Sequence, residues 1–311
     1  MSAAPAASFK PFRAITLKVA SIFVFTAMIA CIKSVDGRVP VGEVVFFRSA
    51  FAVPVILIWL ALSHDLGTGL KTERLAGHFW RGLIGTAAMG FGFTAVALLP
   101  LPDVTAIGYA APLIVVILGA IFLGETVRLF RISAVLVGFL GVLIILAPRL
   151  SLGTESAQTL GAMVAFAGAV LMAFAQILTR KLVAHEKTPT IVFYFSVFAA
   201  LAGLATIPFG WVMPRSGDII LLALSGILGG VGQIFLTSSY RFAPTGVIAP
   251  FEYCSMLLAL VVGYFVFAEI PTRQTLIGAS IIILSGLVII YRERQLGVSR
   301  SKARAVSTPQ G

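Results

Sequence analysis

The sequence contains little charge. Only 11% of its 311 residues are Asp, Glu, Lys or Arg, whereas 59% are hydrophobic, and the mean hydropathy is +1.04. A soluble domain normally carries about 25% charged residues. One protein core could not bury this much apolar surface, so lipid has to cover the remainder. The composition therefore excludes a soluble globular protein and predicts an integral membrane protein.

Cysteine and histidine are also scarce. Cys31 and Cys254 lie far apart in apolar stretches without a CxxC or CxxH neighbour, which indicates small packing residues. His64, His78 and His185 are assigned to polar connections and lack the HExxH spacing. We therefore predict no catalytic residues, no metal site and no cofactor. The sequence also lacks a Walker A motif, which disfavours an ATP-driven pump.

Positive charge predominates over negative charge, with 23 Lys and Arg against 12 Asp and Glu and a formal net charge of +11. Such an excess can indicate nucleic-acid binding. Here most of it lies in short loops between apolar segments, where Lys and Arg set membrane topology. We expect a lipid bilayer and a small-molecule substrate as partners, no nucleic acid, and a monomer or homodimer.

Ten apolar segments are long enough to cross a bilayer, which takes about 20 helical residues and roughly 17 in the shortest cases. The connections between them are too short for a soluble domain. The sequence therefore predicts an all-α membrane protein with ten transmembrane helices. The segments cover roughly residues 15–33, 42–62, 80–99, 104–124, 130–147, 159–180, 190–211, 218–240, 244–267 and 274–291.

The distribution of Lys and Arg predicts the orientation. If the N-terminus is cytosolic, the outer side holds only Lys33, Arg38, Arg149, Arg215 and Arg273, and nearly all the others are cytosolic. This asymmetry predicts a multi-pass protein of the bacterial inner membrane with both termini in the cytoplasm. We expect residues 1–14 to form a cytosolic N-terminal segment, in which residues 1–12 lack a cleavable-signal pattern. Residues 292–311 form a basic cytosolic tail that we expect to be disordered.

An internal repeat emerges when the chain is aligned with itself. One gapless offset places Pro100 on Pro244, Tyr109 on Tyr253 and Glu125 on Glu269. The same offset places residues 81–85 on residues 225–229. Each half, 15–148 and 159–291, holds five predicted spans. Because five is odd, the second half must insert upside down, which gives the inverted repeat of secondary transporters.

Several motifs resemble those of a known family. In the second span Arg48 directly follows two phenylalanines, the fourth span contains Pro112 and ends in LGE at Glu125, and the ninth contains Pro250 and ends at Glu269. In these features the chain resembles drug/metabolite transporters of the EamA type, from about residue 15 to residue 291. The resemblance implies ten helices, a central cavity between two repeats, and transport without ATP hydrolysis.

Within that superfamily the sequence is most similar to bacterial branches assigned to riboflavin uptake or S-adenosylmethionine uptake, while other members export amino acids and metabolites. The S-adenosylmethionine branch tends to carry a basic residue at the position of Glu252. An acidic residue there favours riboflavin uptake as the predicted function. The alternatives are S-adenosylmethionine uptake and efflux of amino acids or metabolites.

Arg48 is the first candidate for substrate binding. It lies about six residues into the second span, roughly 9 Å below the outer boundary. An arginine in the hydrocarbon core costs on the order of 3 kcal/mol, so a partner or an aqueous cavity is expected. The structural alternatives are a side chain that extends to the interface and a fixed salt bridge.

Glu252 is the second candidate, about eight residues and near 12 Å from the cytosolic side. A carboxylate at this depth should be protonated, paired or facing water. It could contact a cationic or hydrogen-bonding substrate, or accept a proton during coupling. The alternative is a fixed ion pair with Arg48.

Four further side chains complete the predicted substrate site. Tyr109 and Tyr253 occupy equivalent places in the two halves and could stack on a flat ring, although interhelical packing explains them too. Gln176 and Gln233 lie in the middle of spans, where they would either line a cavity or make interhelical hydrogen bonds.

Other polar residues at span ends indicate structure rather than substrate binding. Lys33 and Asp36 end the first span, where we expect a solvated interface. Glu125 and Glu269 are equivalent residues on opposite faces, and we expect each to cap the N-terminus of the following helix.

Two other classes of protein compete with a transporter. An intramembrane enzyme would need catalytic side chains converging at one depth, which the spans do not offer. A channel or a purely structural membrane protein would not need an inverted repeat, which favours alternating access.

Overall fold

The computed structural model describes residues 10–35, 37–63, 67, 69–123, 129–150, 156–183, 185–242 and 248–306. Within these ranges the regular structure is helical. Two 3₁₀ helices, Ile207–Phe209 and Ala249–Tyr253, accompany the α-helices. The α-helices are α1 (Pro11–Ser34), α2 (Val41–Leu62), α3 (Leu75–Leu98), α4 (Leu101–Gly108), α5 (Ala110–Leu123), α6 (Leu129–Leu150), α7 (Ser156–Val183), α8 (Thr188–Leu204), α9 (Ser216–Phe242), α10 (Cys254–Phe267) and α11 (Arg273–Val306).

These helices form ten apolar stretches, as the sequence predicts. In the described part of the chain, 8 stretches are long and apolar enough to cross a membrane, one of them being α4 and α5 together as Leu101–Phe122. The two shorter apolar stretches are Thr188–Leu204 and Phe251–Phe267. The predicted all-α, ten-helix membrane fold is confirmed.

The fourth and ninth stretches are broken at equivalent residues. α4 ends at Gly108 and α5 begins after Tyr109, while the 3₁₀ helix ending at Tyr253 leads into α10. A broken helix leaves backbone groups without helical partners, and such breaks within a membrane occur where protein or a cavity surrounds them. Both breaks therefore mark the interior of the bundle.

The contacts between helices have the symmetry expected of two related halves, in which α1, α2 and α3 correspond to α7, α8 and α9. α1 and α2 of the first half pack on α9 of the second half. Likewise, α7 and α8 of the second half pack on α3 of the first half. The pairs α2–α8 and α6–α11 each join a helix to its own counterpart. The predicted limits of the halves, 15–148 and 159–291, stay a prediction, and this exchange of partners supports them.

Glycines set the closest helix crossings. A Cβ on Gly278 of α11 would lie 2.5 Å from the Gly141 carbonyl oxygen, and one on Gly141 would lie 2.7 Å from that of Gly278. Apolar burial gives lipid-embedded helices no mutual driving force, so such small residues permit the close packing that holds them together. The α6–α11 pair therefore depends on having glycine on both helices.

The outer surface of the bundle is apolar. Phe23, Ile58, Leu136 and Leu284 are each more than half exposed, at 56%, 59%, 60% and 62%. Exposed large apolar groups on many helices would be unstable in water, and they suit contact with acyl chains.

Three sequence predictions need correction. α1 begins at Pro11 rather than residue 15. His78 lies inside α3 and is buried rather than in a polar connection. The tail expected to be disordered continues α11 to Val306, because this stretch is rich in helix-forming residues and contains no proline before residue 309.

Substituting Gly278 tests the close crossing. We expect Gly278→Ala to destabilise the protein by about 1–3 kcal/mol, because its Cβ meets backbone that cannot move aside. Gly90→Ala is the matched control, since a Cβ there meets no atom within 4 Å. Thermal unfolding in detergent should show a lower midpoint for Gly278→Ala only. Equal midpoints for both variants would contradict the crossing.

Candidate functional site

A cavity of about 560 Å³ lies between helices from both halves of the chain. Pockets for small organic molecules usually measure about 300–1,000 Å³ and combine apolar walls with a few polar groups. This cavity has that character, with aromatic, Met, Val and Ala side chains around a small polar set. The polar lining residues are Arg48, Arg81, Gln176, Thr179, Arg180, Gln233, Thr237 and Glu252.

Arg48 lies on the wall of this cavity, and its side chain does not extend to an interface. The residue is only 4% exposed. Its guanidinium carbon is 5.9 Å from the centroid of the Phe195 ring, and its Nε has no hydrogen-bond partner. Among the residues that the structure describes, no carboxylate lies within ion-pair distance of it.

Arg81 is a cavity residue that sequence reasoning missed. It was counted with the cytosolic charges at the start of the third predicted span, but it lies in the second turn of α3 and is 8% exposed. Its Nε donates a hydrogen bond to Thr179 Oγ1 at 2.6 Å, and its guanidinium carbon lies 4.1 Å from the Phe195 centroid. Its Nη1 has no hydrogen-bond partner, so a second buried cation faces the same ring.

Equivalent glycines provide the space for both guanidinium groups. A Cβ on Gly229 of α9 would lie 2.8 Å from Arg48 Nε. A Cβ on Gly85 of α3 would overlap Arg81 Nη1. These two glycines coincide under the internal alignment, so each half contributes one arginine-accommodating position.

Glu252 lines the cavity from the 3₁₀ helix and pairs with Lys18 rather than with Arg48. Its carboxylate oxygen is 3.5 Å from Lys18 Nζ, and the side chains are 34% and 4% exposed respectively. The fixed Arg48–Glu252 pair considered above is absent from the described contacts. Lys18 was assigned to the cytosolic charges, yet it is buried as the eighth residue of α1, because that helix begins at Pro11.

The remaining predicted site residues fall into two groups. Gln176 and Gln233 line the cavity. Tyr109 and Tyr253 are not among its lining residues. Instead they pack edge to face with centroids 5.3 Å apart, and Tyr109 bonds Ser255 at 2.8 Å. The binding roles of all four stay predictions.

Past one end of the cavity lies a set of ion-paired residues, here called the Lys33 cluster. It consists of Lys33, Glu269, Arg38, Asp218, Arg149 and Asp103. Lys33 Nζ is 2.8 Å from Glu269 Oε1, with side chains 13% and 15% exposed. Lys33 also donates to the carbonyl oxygens of Val96 at 3.1 Å and Leu99 at 2.8 Å. Because Val96 lines the cavity, the cluster adjoins the cavity at this end.

Two expectations about this region are wrong. Lys33 is buried in an ion pair rather than solvated, because the opposing Glu269 comes from the other half of the chain. Glu269 caps α4 rather than the helix that follows it, since the Leu101 N–H donates to Glu269 Oε2 at 2.8 Å. A carboxylate at a helix N-terminus satisfies a free N–H and complements the helix dipole. Glu125 and Asp36 lie outside the described residues.

The other members of the Lys33 cluster tie further helices together at the same end. Arg38 pairs with Asp218 at 2.7 Å. Arg149 forms an ion pair with Asp103, which also accepts a hydrogen bond from Thr275. These contacts connect the ends of α1, α4, α6, α9 and α11.

The opposite end of the cavity is built differently. Its lining includes Arg180 and reaches Val183, the last residue of α7. Near this end, Glu186 accepts a hydrogen bond from Thr72 at 2.6 Å, which connects the segments that precede α8 and α3. Within the described ranges, no three His, Cys, Asp or Glu side chains are arranged to hold a metal ion.

Ten apolar stretches around an amphipathic cavity, with ion pairs adjoining one end, define a multi-pass membrane transporter. The model of the EamA-like transporter family matches residues 12–147 and again 159–291. The chain therefore belongs to the EamA-like transporter family.

Individual relatives agree with this assignment. The chain is 30% identical over 279 residues to a protein of Pseudomonas aeruginosa named pseudopaline exporter, covering 88% of this chain and 95% of that one. It is 30% identical over 268 residues to a Rickettsia felis protein named S-adenosylmethionine uptake transporter, covering 85% of this chain and 87% of that one.

A solved crystal structure also matches, with a TM-score of 0.66 and 20% sequence identity over 91% of this chain and 98% of that chain. At that identity the match shows the fold alone. The family and the relatives indicate a membrane transporter of small metabolites.

The Lys33–Glu269 pair can be tested by a double-mutant cycle. Breaking a buried pair leaves one charge uncompensated, so Lys33→Met and Glu269→Gln should each cost about 3 kcal/mol. The double variant should lose less than the sum of the two, because neither charge is then left alone. Thermal unfolding in detergent measures all three, and additive losses would show that the pair is not coupled.

Proposed function

We propose that this chain is a secondary transporter that carries a small organic metabolite across the membrane by alternating access. The observation that carries the proposal is the cavity between the two halves, with Arg48 and Arg81 buried on its wall and the Lys33 cluster adjoining one end. We infer that the Lys33 end is closed in this arrangement. Reversing access would require the Lys33–Glu269 pair to separate, since it joins α1 to the end of α10 in the other half.

We propose S-adenosylmethionine uptake as the first substrate assignment to test. Support comes from the Rickettsia relatives that bear this name. Riboflavin, which the sequence favoured, stays a prediction that rested on the acidic Glu252. Because Lys18 pairs with Glu252, the local charge there is close to neutral, and the preference for riboflavin loses force. Efflux is the alternative, supported by the relative named pseudopaline exporter.

We further propose that the protein lies in a bacterial inner membrane with both termini in the cytoplasm, as a monomer or homodimer. The Lys33 cluster would then face the periplasm, and the cavity end near Arg180 would face the cytoplasm. Support comes from the distribution of Lys and Arg described above.

Cysteine labelling tests this orientation. In a chain with Cys31→Ser and Cys254→Ala, single cysteines would replace Lys71, Lys187 and Arg215, which are all exposed. A membrane-impermeant maleimide applied to intact cells should label position 215 and reach positions 71 and 187 only after permeabilisation. Labelling of positions 71 and 187 from opposite sides would contradict the inverted arrangement.

Uptake measurements test the transport proposal. Cells that depend on external S-adenosylmethionine or riboflavin, expressing the chain, should accumulate radiolabelled S-adenosylmethionine. Arg48→Ala and Glu252→Ala should each lower uptake about tenfold or more, because charge-assisted hydrogen bonds contribute about 1.5–3 kcal/mol. Arg215→Ala is the matched control, since Arg215 is exposed and does not line the cavity.

The two solutes separate the possible outcomes. Accumulation of riboflavin alone would replace the substrate assignment and restore the sequence prediction. Loss of either solute from preloaded cells, with no uptake of either, would show efflux. Normal transport by both cavity variants at wild-type membrane levels would contradict the assigned site.

A further inference from the structure

Among the described residues, two buried guanidinium groups share the cavity wall with no carboxylate within ion-pair distance of either. Arg48 and Arg81 are 4% and 8% exposed, and each has a buried nitrogen, Nε of Arg48 and Nη1 of Arg81, that makes no hydrogen bond. Elsewhere in the described bundle, buried cations are matched, as Lys18 is by Glu252 and Lys33 by Glu269. The arginine pair therefore differs from the fold's other buried cations.

The protein's own compensation for these charges is partial. Both guanidinium carbons lie near the face of one ring, at 5.9 Å and 4.1 Å from the Phe195 centroid. Cation–π attraction is weaker than a salt bridge in such a site, and two like charges beside one ring repel each other. A buried charge is costly unless it is paired and hydrogen-bonded. An anion between them would remove this cost.

Neighbouring residues fix the positions of the two guanidinium groups. Thr179 fixes Arg81 through its Nε, and Gly85 and Gly229 provide the space in which the two guanidinium groups lie. A guanidinium presents a planar fork of N–H donors that matches a carboxylate. The Lys18–Glu252 pair is neutral as a unit, so the excess positive charge lies at the arginines and at Arg180 near the cavity end.

We propose that the transported solute carries a carboxylate and that Arg48 and Arg81 bind this carboxylate jointly. The inference rests on the proposed transport function and specifies its substrate class. The rest of the cavity wall, with Phe25, Met28, Phe93 and Met172, suits an apolar or aromatic body attached to the acid group. S-adenosylmethionine has such a carboxylate, whereas riboflavin has none.

Matched ligand pairs test the proposal by equilibrium binding. The full chain, purified in detergent, would be heated with 3-phenylpropionate or its neutral amide, and with S-adenosylmethionine or its decarboxylated analogue. A ligand that binds only the folded protein raises the midpoint. In at least one pair, we expect the dissociation constant of the carboxylate ligand to be lower than that of its partner by a factor of about ten or more.

Arg48→Gln and Arg81→Gln should each remove this preference, whereas Arg215→Gln should retain it. Without ligand, the unfolding midpoints of the first two variants should equal that of the wild type or exceed it by up to about 2 °C. The reason is that each substitution removes an uncompensated buried charge. A merely structural arginine would behave in the opposite way, with its removal lowering the midpoint.

Three results would overturn the proposal. The first is no carboxylate preference in either pair, and the second is a preference that survives both substitutions. The third is stabilisation by dihexanoyl-phosphatidylglycerol with none from either carboxylate, which would make the site a lipid-phosphate site. Binding does not require transport. If the carboxylate binds in an arginine-dependent way but no solute is taken up or exported, only the proposed function is contradicted. If a solute is transported but no arginine-dependent carboxylate binding is found, only this inference is contradicted.

Discussion

The structure depends on how charge is compensated inside an apolar bundle. Lipid offers no water to solvate an ion, so each buried charge needs a partner from the protein or from a ligand. In the Lys33 cluster the protein supplies the partners, and Glu269 satisfies both Lys33 and the free Leu101 N–H. Around Phe195 the described residues supply a ring and a hydroxyl to the two arginines. The first arrangement joins helix ends, and the second is where we propose that a ligand binds.

Local backbone geometry produces the first arrangement. Ala268 adopts a left-handed conformation with φ of 53°, which ends α10 and turns the chain. The Glu269 N–H then donates to the Gly263 carbonyl oxygen at 2.8 Å, and the missing Cβ of Gly263 leaves room for the carboxylate. The side chain is thereby directed at a helix of the other half, so the closing contact forms between the halves rather than within one.

Sequence patterns predicted the ten spans because runs of apolar residues with few charges need no knowledge of tertiary contacts. They identified Arg48 for the same reason, since it interrupts such a run. Arg81 and Lys18 were not predicted to be buried, because each lies near the end of an apolar run. Their helices start about five residues earlier than expected, and this places both side chains inside the bundle. The pairing of Lys33 with Glu269 joins distant parts of the chain, and periodicity in one sequence does not indicate which helices meet.

The two halves have equivalent helices, but the charged residues on those helices are not equivalent. Under the internal alignment, Arg81 corresponds to Ser225 and Arg48 to Val192, so the two arginines that face Phe195 belong to the first half. The second half contributes Phe195, Thr179 and Gly229. The helices of the two halves are interleaved, since α1 and α2 pack on α9 whereas α3 packs on α7 and α8. Arg48 on α2 and Arg81 on α3 therefore lie on helices with different partners, and an anion bound by both would connect those helices across the cavity. The Lys33–Glu269 pair joins α1 to the end of α10 in the same way, so the helices that meet there can move apart only if this pair separates.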